Sequence, residues 1–237
     1  MNIIIQFFIG YIIVDFLSSF FHWIEDTYLN YNIDIPIISS IAKDNTLHHF
    51  YPRSILAYSP LENMQNTFIL TIIIILIIYI INKSFIYKYP IIILTILILG
   101  TIGNYIHAIA HMRDCEKSKF ILLLQKLGII ISNKEHSFHH ATNSSVKYSV
   151  YNSYTNYIYD YLNIWRIFEY LIFIVFNIKP CYKPIINQYE RYFDDTLDEL
   201  MKQKCPRKLT KQEINDICFR ILNNIHRNNK NICATYI

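Results

Sequence analysis

The stretch PIIILTILILGTIGNYIHAIAHM, residues 90–112, decides how the rest of the chain is read. Crossing a hydrocarbon core of about 30 Å takes roughly 20 apolar residues at about 1.5 Å of rise each, and this run reaches that length. Its far end carries Asn104, His107 and His111. On a helix His107 and His111 stand four residues apart and share one face. The expectation is a membrane-spanning helix that delivers two imidazoles to one surface.

The flanking sequence repeats the pattern of apolar runs with polar ends. Thr67 to Ile81 is almost pure Ile and Leu, and a short basic link holding Lys83 and Lys88 joins it to Pro90, which predicts a helical hairpin. Ile3 to Trp23 is a further span; it has neither a basic leading region nor a small-residue cleavage site, so it reads as a retained anchor. Between the first two runs, the polar segment Glu25 to Asn66 belongs in water or among headgroups. Phe120 to Ile131 and Ile164 to Ile178 are apolar but interrupted by charge, as helices lying in the interface are. From Cys181 onward the charge density rises, and Leu197, Leu200, Ile214, Ile217, Ile221 and Ile225 recur at helical spacing. The predicted fold is therefore an all-α, multi-pass integral membrane protein with about three transmembrane helices plus interfacial helices. Residues 1–180 form the membrane-embedded domain, and residues 181–237 a soluble charged helical tail without an assigned role.

Composition agrees, since 53% hydrophobic against 17% charged residues excludes disordered and fibrous classes. A net charge of +4, scattered along the chain, does not support a nucleic-acid partner. Five cysteines without a CxxC pair read as reduced thiols.

Eight of the nine histidines fall in four clusters: His22; His48 and His49; His107 and His111; and His136, His139 and His140. The last three, in an HxxHH pattern, share one helical face. Counting three spans puts all eight on one side of the membrane, and the basic residues Lys43, Arg53, Arg113, Lys117 and Lys119 favour that side as cytosolic. Single interfacial histidines are usually ordinary polar residues, as His226 in the charged tail is expected to be, but eight in such spacing point to metal. Eight neutral nitrogen ligands exceed the needs of one mononuclear site, so two metals is the expected count. No HExxH-type carboxylate base is present, which disfavours zinc hydrolysis and favours an oxygen-activating di-iron site beside lipid.

Three polar residues complete the candidate set. Asp15, inside the first span, either supports the ligands from behind or anchors helix packing, and it needs a partner in either case. Asp26, one turn from His22, is placed to orient that ring through its free nitrogen. Asn104, one turn before His107, is expected to make an interhelical hydrogen bond.

These motifs, in this order, resemble those of the Kua (CarF-like) lipid desaturases. The carriers of the resemblance are Asp15 to Thr27 with His22-Trp23 at its heart; the HHxxP of His48 to Pro52; Gly100 to His111, similar to GTxxNxxHxxxH; Leu124-Gln125 leading to His136, His139 and His140; and Tyr148, Asn156, Trp165-Arg166 and Glu169. The resemblance covers about Asp15 to Leu171. Departures from the family pattern are Ser19 where Gly is usual, Ser149 where Cys is common, and Tyr58 to Asn63 in place of an Arg-His-Asp-like run. The resemblance implies two iron ions bound by the eight histidines, O2 as oxidant, a b-type cytochrome as electron donor and a phospholipid substrate. It further implies a double bond near the headgroup end of the chain, converting a plasmanyl (alkyl ether) to a plasmenyl (vinyl ether) lipid. Acyl-chain desaturation or lipid hydroxylation is the alternative, and a non-catalytic metal- or lipid-binding protein is the alternative of another class. In a eukaryotic cell an endoplasmic-reticulum-type membrane is expected.

Overall fold

The computed structural model describes residues 1–29, 35–142, 145–181 and 203–227. Every regular element among the described residues is helical. The expectations for Leu197, Leu200 and Cys233, and for the side chains of Ile221, Ile225 and His226, lie outside the described residues.

Three helices are long and apolar enough to cross a membrane: α1 (Ile3–Tyr28), α3 (Pro60–Ile81) and α5 (Pro90–His111). Between them lie α2 (Pro36–Phe50), which ends where Pro52 cannot continue the helix, and the short α4 (Lys83–Lys88) at the hairpin bend. α3 begins at Pro60, nearly two turns before the apolar run that predicts it. The reason is a capping box at Ser59: its hydroxyl accepts from the Glu62 N–H at 3.3 Å while Glu62 Oε2 accepts from the Ser59 N–H at 2.9 Å. Likewise α2 lies within the segment read as polar and aqueous, yet its Ala42, Thr46, Leu47 and Phe50 are buried.

Small residues set the spacing of the spans. A Cβ added at Gly10 would meet Thr95 Cβ at 2.8 Å, and one at Gly100 would meet Thr71 Oγ1 at 2.5 Å, so α5 lies close to both α1 and α3. Thr67 Oγ1 donates to the Thr101 carbonyl at 2.7 Å, adding a polar contact inside the hairpin.

The chain then runs along the histidine-bearing end of the bundle through α6 (Lys119–Lys126), α7 (Asn133–Ala141), α8 (Ser153–Tyr161) and α9 (Ile164–Phe176). α6 is shorter than its amphipathic stretch because Gly128 takes φ +69° and turns the chain. α9 buries Trp165 and Glu169 and leaves Ile174, Val175 and Phe176 exposed, as an interfacial helix does. The last described helix, α10 (Lys211–Arg227), packs Ile214 and Ile217, with Leu209 before it, against Ala42, Leu47, Phe50 and Tyr51.

The cysteines depart from the reduced-thiol reading. Cys115 and Cys205, 90 residues apart, form a disulfide; Cys181 is also disulfide-bonded, and Cys218 is free. Only the return of the chain to the end of α5 brings Cys205 beside Cys115, which no local spacing reveals.

Candidate metal centre

Four helices contribute the eight histidines, and each does so near a terminus. His22 lies on the last turns of α1, His48 and His49 end α2, His107 and His111 end α5, and His136, His139 and His140 line α7. α7 starts at Ser132, whose hydroxyl accepts from the Glu135 N–H at 3.2 Å. Helix ends meet here because every span ends or begins at this face, so the three-span count and the observed convergence agree.

The side chains form two adjoining groups. His48, His107, His111, His136 and His140 each offer one nitrogen within 4.8 Å of the others. His22, Asp26 and His139 make the second group. The groups touch: the His22 and His107 rings are 5.1 Å apart, and His136 lies 5.4 Å from His139. His49 joins the second group through Asp26, with Nε2 to Oδ1 at 2.8 Å.

Backbone carbonyls choose the tautomers. His22 Nδ1 lies 2.9 Å from the Tyr148 carbonyl, and His139 Nδ1 lies 2.6 Å from that of Val146. A carbonyl only accepts, so both rings carry a proton on Nδ1 and turn Nε2 inward. Asp26 therefore takes a different place from the one its spacing suggests. Its Oδ2 lies 3.3 Å from His22 Nε2 and 3.0 Å from His139 Nε2, on the inward side of both rings. The outer nitrogen it was expected to hold is taken by Tyr148.

A shell without a cation makes these atoms hard to account for. His22 Nε2, both nitrogens of His48, His111 Nε2, His139 Nε2 and Asp26 Oδ2 are buried and have no aligned hydrogen-bond partner. Each such atom costs about 1–3 kcal/mol. His107 Nε2 and His136 Nε2 approach to 2.8 Å, a distance that two lone pairs do not tolerate without a proton or metal between them. Burial, reinforced by the neighbouring imidazoles, holds His48, His136 and His140 well below the ordinary histidine range, so they stay neutral as ligands must. Neutral nitrogens plus one carboxylate suit iron, zinc or copper. The donor set fits the metal that the motifs imply.

The remaining candidates support the framework. Asp15 is fully buried and accepts from Ser149 Oγ at 2.5 Å, Asn152 Nδ2 at 3.1 Å and Tyr159 OH at 3.1 Å. It fastens α8 and its leading turn to α1, and that turn carries the carbonyl on which His22 leans. Asn104 Nδ2 donates to Asn63 Oδ1 at 3.4 Å, an interhelical contact from α5 to α3. Glu169 pairs with Arg166 at 2.7 Å and accepts from Trp23 Nε1 at 3.2 Å, joining α9 to α1.

Arg53 did not stand out in the sequence beyond its charge. Buried, it forms a two-pronged pair with Glu116 at 2.8 and 3.0 Å and donates to the His111 carbonyl at 3.2 Å. Its position immediately after HHxxP is the one local signal.

Comparison with known proteins gives this arrangement a family. The profile described as the lipid desaturase domain matches residues 11–183. The chain belongs to that family. It is 27% identical over 177 residues to a probable fatty acid desaturase of Acanthamoeba polyphaga mimivirus, covering 74% of this chain and 85% of that one. It is 24% identical over 172 residues to fatty acid desaturase 4-like 1, chloroplastic, of Arabidopsis thaliana, covering 72% and 57% of the two chains. It is 24% identical over 184 residues to plasmanylethanolamine desaturase 1 of Mus musculus, covering 72% and 65%. The match spans less than two thirds of the plant and mouse relatives. No solved structure matches. The lipid desaturase domain thus stands on an all-helical scaffold with three candidate spans and a histidine cluster able to hold metal.

Proposed function

We propose that this lipid desaturase domain holds two iron ions and introduces a double bond near the headgroup end of a phospholipid chain, with O2 as oxidant and a b-type cytochrome as electron donor. The observation that carries the reading is the pair of adjoining ligand groups with buried, unpartnered inward atoms. His48, His107, His111, His136 and His140 would hold one ion; His22, His139, Asp26 and His49 would hold the other. Iron there would supply the oxidising power that removal of hydrogen from an unactivated methylene requires.

The chain's own residues set the conditions. The Tyr148 and Val146 carbonyls keep His22 and His139 in the metal-binding tautomer. The ligands' burial excludes bulk water, which protects the reaction from side products. The ligands sit at the ends of α1 and α5, so only the first few carbons beyond a headgroup at the interface come within reach. That depth supports either an alkyl-ether phospholipid, yielding a vinyl ether, or an acyl chain desaturated close to its ester.

We favour the alkyl-ether substrate because the motif set, including Trp165-Arg166 and Glu169, reads nearest to the plasmanyl branch. The acyl reading draws support from the names of the mimivirus and plant relatives, both fatty acid desaturases by name. Expression in plasmalogen-deficient cells separates them. Restored vinyl-ether lipids that vanish in His139→Ala support the first reading; new acyl double bonds without vinyl ether support the second, and hydroxylated lipid alone points to a hydroxylase.

The basic residues on the histidine side support a cytosolic face, while the Cys115–Cys205 pair on that side is what an oxidising compartment would give. Mapping by inserted glycosylation sites next to Lys117 decides the orientation: no glycan is expected there.

A further inference from the structure

The family match ends at residue 183, yet Leu209, Ile214 and Ile217 lie against the ligand-bearing helix α2. Resting on the two-metal reading above, we infer that this C-terminal segment is a positioning strap for the ligand-bearing helices α2 and α5.

Three independent attachments support the inference. The first is apolar. Leu209, Ile214 and Ile217 are buried in one cluster with Ala42, Leu47, Phe50 and Tyr51, which lie on α2 and its end, on either side of His48 and His49. The second is polar. One guanidinium, Arg53, holds both ends of the contact: Nη2 donates to the Pro206 carbonyl at 3.2 Å, while Nη1 donates to the His111 carbonyl at 3.2 Å. Glu116 fixes the fork in place, and its Oε2 also accepts from the Arg113 N–H at 2.6 Å. The third is covalent, since Cys205 is joined to Cys115 just beyond the end of α5.

The strap is a built element in its own right. Glu213 and Thr210 cap α10 reciprocally, with Thr210 N–H to Glu213 Oε2 at 2.8 Å and Glu213 N–H to Thr210 Oγ1 at 3.3 Å. Arg207 pairs with the same Glu213 at 2.5 Å, and Lys211 reaches Glu62 at the start of α3. On its other side α2 is held to α1 by Asn45, whose Nδ2 donates to Asp26 Oδ1 at 3.1 Å, and it is followed by the tight helix Pro52–Ala57. The strap supplies the surface on which α2 rests, and through Arg53 it couples that surface to the carbonyl of His111. His48 and His111 belong to the same five-histidine group, so their separation depends on this contact.

A scaffold that only stabilises the fold and a strap that positions ligands differ in one respect. Coupling is reciprocal: if the strap favours metal binding, metal binding must favour the docked strap. The full-length protein in detergent, titrated with Co²⁺ as probe, tests this by hydrogen exchange. In the wild type, amides of residues 209–217 are expected to exchange at least fivefold more slowly once Co²⁺ is bound. Ile214→Asp, which unseats the helix, is expected to weaken Co²⁺ binding at least tenfold and to alter its visible absorption bands. Phe219→Asp, on the exposed side of the same helix, should leave both unchanged. Equal exchange with and without Co²⁺ overturns the strap, as does an Ile214→Asp chain that binds like the wild type. If Ile214→Asp does not fold, the wild-type exchange measurement alone decides. A wild-type chain that takes up fewer than two Co²⁺ overturns the two-metal reading and the strap with it, whereas two bound Co²⁺ with an unresponsive segment overturns the strap alone.

Discussion

α3 and α5 have the same length, 22 residues, and nearly the same appetite for lipid, yet they do opposite work. α3 buries only Asn63 and Thr71 and leaves Phe68, Ile69, Ile73, Leu76, Ile77, Ile80 and Ile81 exposed. α5 buries Ile92, Thr95 and Ile96 near its start and Gly103, Ile106 and Ala108 to His111 toward its end, where it carries two ligands. Apolar content cannot explain the difference, because hydrocarbon solvates Ile as well as a protein interior does. The distinction lies in the small and polar residues. Gly100 and Gly103 let α5 approach Thr71 and Tyr151 closely, whereas α3 beyond Thr71, from Ile72 to Ile81, is an unbroken apolar run. In this molecule the interruptions of a span, more than its hydrophobic residues, determine its neighbours.

The contrast can be broken most completely at the ligand end of α5. His111→Ala and His136→Ala are each expected to abolish desaturation and to lower bound iron below two per chain, read by lipid analysis and metal analysis. An iron content equal to wild type in either variant would remove that histidine from the ligand set.

Acid should act on the same end next. His48, His136 and His140 are held neutral in the folded chain, while an unfolded histidine takes a proton near pH 6.5. Below that pH the unfolded chain binds more protons than the folded one, so stability and metal retention are both expected to fall as pH drops from about 6.5 toward 5. Thermal unfolding followed across that range should show the midpoint declining; a flat profile would mean that the three imidazoles titrate normally.

Gly100→Leu probes the packed flank of α5. The added side chain has Thr71 in its way, and overpacking of this kind costs about 1–3 kcal/mol. The expected result is a lower unfolding temperature with activity reduced but measurable. The matching change on the exposed side of α3, Ile77→Leu, should alter neither, because that side chain is not packed into the bundle. Equal effects from the two substitutions would erase the distinction between the helices.

Much of the site is legible in the order and spacing of the residues. The HxxxH and HxxHH spacings require shared faces once the segments are helical, and three spans bring every cluster to one side, so the convergence of the eight histidines follows from topology. Asn104 has the interhelical partner its position suggests. Asp26 does not have its expected one. Spacing puts it one turn from His22 but says nothing about which ring nitrogen it faces; Tyr148, 126 residues away, takes the outer nitrogen and leaves Asp26 among the inward atoms.

What the sequence by itself determined is therefore whatever is periodic or additive: the lengths of the apolar helices, their faces and the gathering of the histidines at one end of the bundle. Tertiary structure alone decided the pairings between distant segments. It set Cys205 beside Cys115, Arg53 between Glu116 and Pro206, and α10 against α2, contacts that join residues 63 to 175 positions apart. The physical reason is that a helix face is fixed by local backbone geometry, whereas the partner of that face depends on the shape left by the rest of the chain.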